Sequence, residues 1–206
     1  MTRHQWNRNA ARVTPLSDAT DPALLAKHFA GADLVVEAVI ESLELKRDII
    51  QQVEALTSDR CVFATNTSAI PIAAIAAPGP EVTRPENVVG MHYFSPVPSM
   101  PLLEIIPHAG TAEEALATAF AVGTQQGKTC VVVKDVPGLY VNRCLGPILA
   151  EVSALVKEGV PLKKIDGAMK DFGSACLRFG VSSFSPSFSD PRLLSQHVQC
   201  RACTSL

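Results

Sequence analysis

An α/β fold with a mostly parallel sheet, followed by part of an all-α domain, is predicted by three features of the chain. Short apolar runs of strand length alternate with segments of helical period. Capping and turn-forming residues fall between them. After Val136-Pro137-Gly138 the strand-like runs cease and two helical segments follow.

The run Asp33 to Ile40 reads as a buried strand, and Leu45, Ile49, Ile50, Val53 and Leu56 then recur at helical spacing. Ser42 is placed to cap that helix, with Glu44 near its positive end. Cys61 to Thr65 is a second strand, and Ile70 to Ala77 a short apolar helix ended by Pro78-Gly79-Pro80. Two strand-like runs follow, Asn87 to Met91 and Leu102 to Ile106. Thr111-Ala112-Glu113-Glu114 has the form of a capping box opening a helix that closes at Gly127, and Thr129 to Val133 is another buried strand. Beyond the boundary near Asp135 to Gly138, Val141 to Lys157 is amphipathic with a kink expected at Pro147, and Leu162 to Phe172 stops at Gly173. In such a fold the ligand crevice lies at the carboxyl ends of the strands, which directs attention to Glu41, Asn66, Thr67, Ser68 and His92.

The 206 residues suffice for one α/β domain and part of another. A net charge of -2 and a pI near 6.2 offer no basic excess for nucleic acid or an anionic membrane surface, so no nucleic-acid partner is expected. The apolar runs Leu34 to Ile40 and Ile70 to Ala77 are too short to span a bilayer, and no membrane span is predicted. Six cysteines without regular spacing point to a reducing compartment rather than a disulfide framework. His197-Val198-Gln199-Cys200-Arg201-Ala202-Cys203 holds three ligand types for zinc but no evident fourth, so it reads as incidental and no metal is expected. The first twelve residues carry three arginines and no acid but lack the serines and apolar spacing of an organellar presequence. The final Thr204-Ser205-Leu206 shares only its leucine with a peroxisomal tripeptide.

His92 and Glu104 are the candidate catalytic pair. Each ends or interrupts a strand-like run, so both are expected on rigid elements. A carboxylate accepting from one imidazole nitrogen fixes the tautomer and stabilises the imidazolium, leaving the other nitrogen as a general base. Taken alone, a histidine and a glutamate at strand edges are more often structural.

Four runs together resemble the L-3-hydroxyacyl-CoA dehydrogenase family: Asn66-Thr67-Ser68, Gly90 to Val97, Leu103-Glu104-Ile105-Ile106, and Lys134 to Arg143. The wording Tyr93-Phe94-Ser95-Pro96-Val97 is more like the dehydrogenase part of multifunctional fatty-acid oxidation proteins than the single-function enzyme. The resemblance covers roughly Gly31 to Gly173. It implies NAD-dependent oxidation of an L-3-hydroxyacyl-CoA to the 3-ketoacyl-CoA in fatty-acid β-oxidation, with His92 as base and Glu104 orienting it. It also implies that Ser68 and Asn142 contact substrate or cofactor, and that Glu41 and Lys46 contact NAD. Without it, Ser68 and Asn142 read equally well as helix caps, and Glu41 and Lys46 as an exposed face. An acyl-CoA substrate, a homodimer weakened by truncation, and a mitochondrial or peroxisomal location are further expectations.

The chain departs from the family at both ends. It contains no Gly-x-Gly-x-x-Gly, the loop whose backbone approaches the dinucleotide pyrophosphate at a helix N-terminus. The first βαβ unit is therefore expected to be absent, and a non-catalytic fragment or binding module is the alternative reading. The expected organisation is a partial NAD-binding domain over residues 1–135 with an incomplete Rossmann-like sheet, a partial helical domain over 136–173, and a divergent Ser-rich tail over 174–206. An altered reading frame or retained intron is the hypothesis for that tail, to be checked by sequencing the transcript across the Gly173 and Ser174 codons. A normally spliced junction there would count against it.

Overall fold

The computed structural model describes residues 13–14 and 22–173, so the Ser-rich tail, the HxxCxxC cluster and most of the first twenty-one residues lie outside it. In chain order come α1 (Pro22–Phe29), β1 (Leu34–Glu37), α2 (Leu43–Leu56), β2 (Val62–Thr65), α3 (Ile72–Ile75), a 3-10 turn (Pro85–Asn87), β3 (Val88–Tyr93) and β4 (Leu102–Ile106). Then follow α4 (Glu113–Gln125), β5 (Thr129–Val132), α5 (Tyr140–Lys157) and α6 (Leu162–Asp171). The strands form one sheet in sequential order, with β1, β2 and β3 parallel, β4 antiparallel to β3, and β5 parallel to β4. A mostly parallel sheet was expected and is observed.

Strand alternation divides the core in two. Phe63, Val88 and Ile106 pack on one face with Ile50 and Val53 of α2, Ile72 and Ile75 of α3, and Leu139. Val62, Ala64, Val89, Met91, Leu103 and Ile105 pack on the other against Ala115 and Ala119 of α4. Each large aliphatic side chain so buried contributes on the order of 1.5–3 kcal/mol. Gly90 lies on the first face, close against its neighbours. A Cβ there would stand 2.8 Å from Ile72 Cδ1 and 2.9 Å from Ile106 Cβ.

Several local expectations need correction. β1 is not a buried strand through Ile40: it is four residues long, at the sheet edge, with Val36 41% and Ile40 75% exposed. β5 is likewise an edge strand, partly exposed, with Val132 51% exposed. The Thr111 capping box does not form. Thr111 Oγ1 instead donates to Val88 O and accepts from His108 N, and Ala112 stands at the N-cap of α4 without a side-chain bond. Ser42 does cap α2, accepting from Leu45 N at 3.3 Å. Pro147 sits inside α5 without ending it, and Gly159 takes a positive φ just after that helix.

Candidate active site

The polar residues that matter share one sheet face, and alternation explains why. Glu37 ends β1, Thr65 ends β2, and His92 is the fifth residue of β3, all in phase with the α2-facing core residues of their strands. Glu104 joins them through register, because β4 runs antiparallel to β3 and places it directly opposite His92. Its carboxylate Oε2 meets His92 Nδ1 at 2.7 Å. Glu104 is 0% and His92 7% exposed. The second carboxylate oxygen, Oε1, accepts from Val141 N at 2.8 Å. Val141 lies in the first turn of α5, whose N-cap Leu139 offers no side-chain bond. Glu104 therefore satisfies one of that helix's orphan N–H groups, and the helix's positive end faces a carboxylate. With Nδ1–H donated to Glu104, the lone pair resides on Nε2, a tautomer assigned from the bond itself. Phe94 lies against the imidazole, ring centroids 4.5 Å apart and tilted by 55°.

The other predicted residues form a connected cluster beside this pair. Asn142, also in the first turn of α5, donates from Nδ2 to Ser68 O at 3.2 Å. Ser68 donates through N and Oγ to Glu41 Oε1, and Thr67 Oγ1 donates to the same carboxylate. Neither Ser68 nor Asn142 caps a helix, which corrects the alternative held open for both. Asp135 takes that part for α3, accepting from Ile72 N at 2.9 Å and Ala73 N at 2.7 Å. Asn66 Oδ1 accepts from Tyr93 N, tying the loop after β2 to the residue after His92.

Lys46 is not on an exposed face. Its Nζ donates to Glu37 at 2.9 and 3.0 Å and lies 3.7 Å from Glu41, and both the Lys46 and Glu37 side chains are 1% exposed. Glu37 also accepts from Thr65 Oγ1 at 2.7 Å and from Val39 N. Sequence reasoning missed Glu37. The signal was present: Lys46 stands four residues before Ile50 and seven before Val53, on the stripe of α2 that is buried, and a buried lysine requires a carboxylate.

Among the described residues no group of three or more His, Cys, Asp or Glu is arranged to hold a metal ion, and no helix is long and apolar enough to cross a membrane. A shallow groove is lined by Ala73, His108, Val132 and Lys134 among others.

The 3-hydroxyacyl-CoA dehydrogenase NAD binding domain matches residues 2–136, starting upstream of the Gly31 from which resemblance was expected. The C-terminal domain of the same family matches residues 138–183, running past Gly173. The fatty acid oxidation complex subunit alpha of Vibrio cholerae is 48% identical over 145 residues, 70% of this chain and 20% of that protein. Its counterpart in Vibrio vulnificus is 46% identical over 163 residues, 79% of this chain and 22% of that protein. The chain thus spans about a fifth of the length of these relatives. Among solved structures, a 3-hydroxybutyryl-CoA dehydrogenase from Escherichia coli superposes with a TM-score of 0.67 at 35% identity, covering 78% of this chain and 32% of that one. The (S)-3-hydroxybutyryl-CoA dehydrogenase of Ralstonia eutropha does so at 0.69 and 32%, covering 82% and 57%. With the NAD-binding pattern matched over more than half its length, the chain belongs to the 3-hydroxyacyl-CoA dehydrogenase family.

Proposed function

We propose that this chain carries the proton-transfer half of an NAD-dependent L-3-hydroxyacyl-CoA dehydrogenase of fatty-acid β-oxidation. The supporting observation is the His92–Glu104 contact, 2.7 Å long, with a fully buried carboxylate whose two oxygens both have donors. His92 Nε2 takes the proton of the substrate 3-hydroxyl as the C3–O bond becomes a carbonyl. The imidazolium so formed is balanced by Glu104, which has no water to compete for it. NAD, when bound, supplies the acceptor for the hydride leaving C3. Ser68 and Asn142 hold the reacting end of the substrate or the nicotinamide in this reading, which the hydrogen bond from Asn142 Nδ2 to Ser68 O supports. Glu41 lines the cofactor side; Lys46, with no solvent access, does not meet NAD as the resemblance implied but lies 3.7 Å behind the Glu41 carboxylate and supports it.

The residues present fit one end of NAD and not the other. The Glu41–Ser68–Asn142 cluster offers acceptors and donors next to His92 for a nicotinamide and its ribose. Nothing in the 206 residues supplies the glycine loop that lets backbone approach a pyrophosphate. The second reading is a non-catalytic module of the same fold.

Titration of the purified, folded chain with NAD by calorimetry separates the two. Saturable binding followed by turnover of a 3-hydroxyacyl-CoA supports the dehydrogenase. A folded chain that binds no NAD supports the non-catalytic module.

A further inference from the structure

We propose that Leu139 is a positioning residue for the His92–Glu104 pair, holding a strained turn that delivers the Val141 N–H to Glu104 and Asn142 to Ser68. This rests on the reading of that pair as the proton-transfer unit.

Leu139 has φ 44° and ψ -168°, and it is the sole non-glycine residue with a positive φ among those described. Gly138, immediately before it, has φ 81°. A positive φ costs glycine little but strains a side chain carrying a Cβ, and such strain persists only where the surroundings over-determine it. Here the surroundings are apolar. Leu139 is 3% exposed and packs in the core cluster with Ile50, Ile72, Ile75 and Ile106, although it belongs to the segment leading into α5. Its amide is also fixed, donating to Val136 O at 3.0 Å.

The consequence falls two and three residues later. A chain leaving Gly138 through relaxed backbone would start α5 in another direction. The observed direction sets Val141 N 2.8 Å from Glu104 Oε1 and Asn142 Nδ2 3.2 Å from Ser68 O. Without the first of these bonds the carboxylate keeps only its contact to His92 and is free to rotate. The imidazole then loses its fixed plane. A leucine side chain has no hydrogen-bonding group to offer the pair, so Leu139 acts through the backbone.

The test uses the full 206-residue chain, labelled for NMR, and reads amide exchange together with the His92 Nδ1–H resonance, neither of which needs turnover. Leu139→Met keeps an apolar side chain that is unbranched at Cβ, while Leu139→Ile keeps the volume but is β-branched and resists a positive φ. The expectation is that Met preserves the parent behaviour. Ile should speed Val141 exchange about tenfold or more and broaden the His92 Nδ1–H signal, while β2 and β3 amides stay protected. Equal behaviour of the Ile and parent chains would overturn the proposal.

A second variant leaves Leu139 untouched. In Glu104→Ala the Leu139 amide keeps its slow exchange if the buried leucine holds the turn. Loss of that protection would mean that Glu104 holds the turn and Leu139 only follows, which also overturns the proposal. Failure of the dehydrogenase reading shows separately, as absent turnover with these signals intact.

Discussion

Glu104 stands directly opposite His92 across the antiparallel β3–β4 pair, so their twelve-residue separation is a register rather than a motif of its own. The buried carboxylate accepts from His92 Nδ1–H through one oxygen and from Val141 N–H through the other. Glu104→Gln retains size but has a single acceptor oxygen, so one of the two donors must face an NH2 group. In a form of the protein that binds NAD, the expected result is a loss of turnover of roughly a hundredfold to ten-thousandfold, the range for general-base catalysis. Initial rates with a 3-hydroxyacyl-CoA, alongside a thermal melt, check it. Turnover near the parent level in a folded variant would remove Glu104 from the mechanism.

The lack of a glycine loop leads to a second prediction. An appended N-terminal βαβ unit that carries such a loop should pair with the edge of β1, where Val36 is 41% exposed, and should confer NAD binding. In that chain His92→Ala should cut turnover while leaving NAD affinity nearly unchanged. Calorimetry and initial rates on the same samples decide it, and a large loss of affinity would show that His92 serves the cofactor rather than the proton.

Much of this site was readable from residues because strands and helices announced themselves through period. The alternation of apolar runs placed β1 to β5 within a few residues, and Ser42 capped α2 as its chemistry suggested. What period does not carry is contact between distant segments. Thr111 looked like a helix cap but spends its hydroxyl on Val88, twenty-three residues earlier in the chain. Lys46 looked solvated because its partner, Glu37, lies on another element. The edge exposure of β1 and β5 depends on which strands lie beside them, a property of the sheet and not of either run.

The Glu37–Lys46 pair gives a stability prediction. Glu37→Ala leaves an ammonium with almost no solvent access and only the more distant Glu41, 3.7 Å away, to offset it. Removing one partner of a buried pair costs about 3–5 kcal/mol, and replacing both with apolar side chains costs far less. Urea denaturation should therefore rank Glu37→Ala well below the double variant Glu37→Met with Lys46→Met. If the single variant is as stable as the double, the pair is not coupled as the geometry indicates.

Gly90 gives a packing prediction of a different kind. A methyl group there would meet Ile72 and Ile106 at 2.8 to 2.9 Å, and both are fully buried. Gly90→Ala should lower stability by about 1–3 kcal/mol through overpacking. Trimming the clashing side chain in Gly90→Ala with Ile72→Val should recover part of that loss. Denaturation midpoints that show no loss in Gly90→Ala would mean the strands separate readily at this point.

Cys61 links the core to pH. Burial pushes its thiol up from the ordinary value of 9.0, with hydrogen bonding from Thr57 and the charge of Arg84 opposing that rise to a lesser extent. The folded chain therefore keeps this proton to higher pH than the unfolded chain does. Stability from this group is intact below pH 9.0 and declines as pH rises from there through the folded value. Tyr93 acts in the same sense further up, because burial raises its phenol above the ordinary 10.0 despite the bond from its hydroxyl to Gln126. The alkaline loss from one such group approaches at most about 1.4 kcal/mol per pH unit. Urea midpoints measured from pH 7 to above 10 should fall from about pH 9 upward in the parent, and Cys61→Ala should flatten the first part of that fall. A parallel decline in both chains would show that Cys61 does not keep its proton preferentially in the folded state.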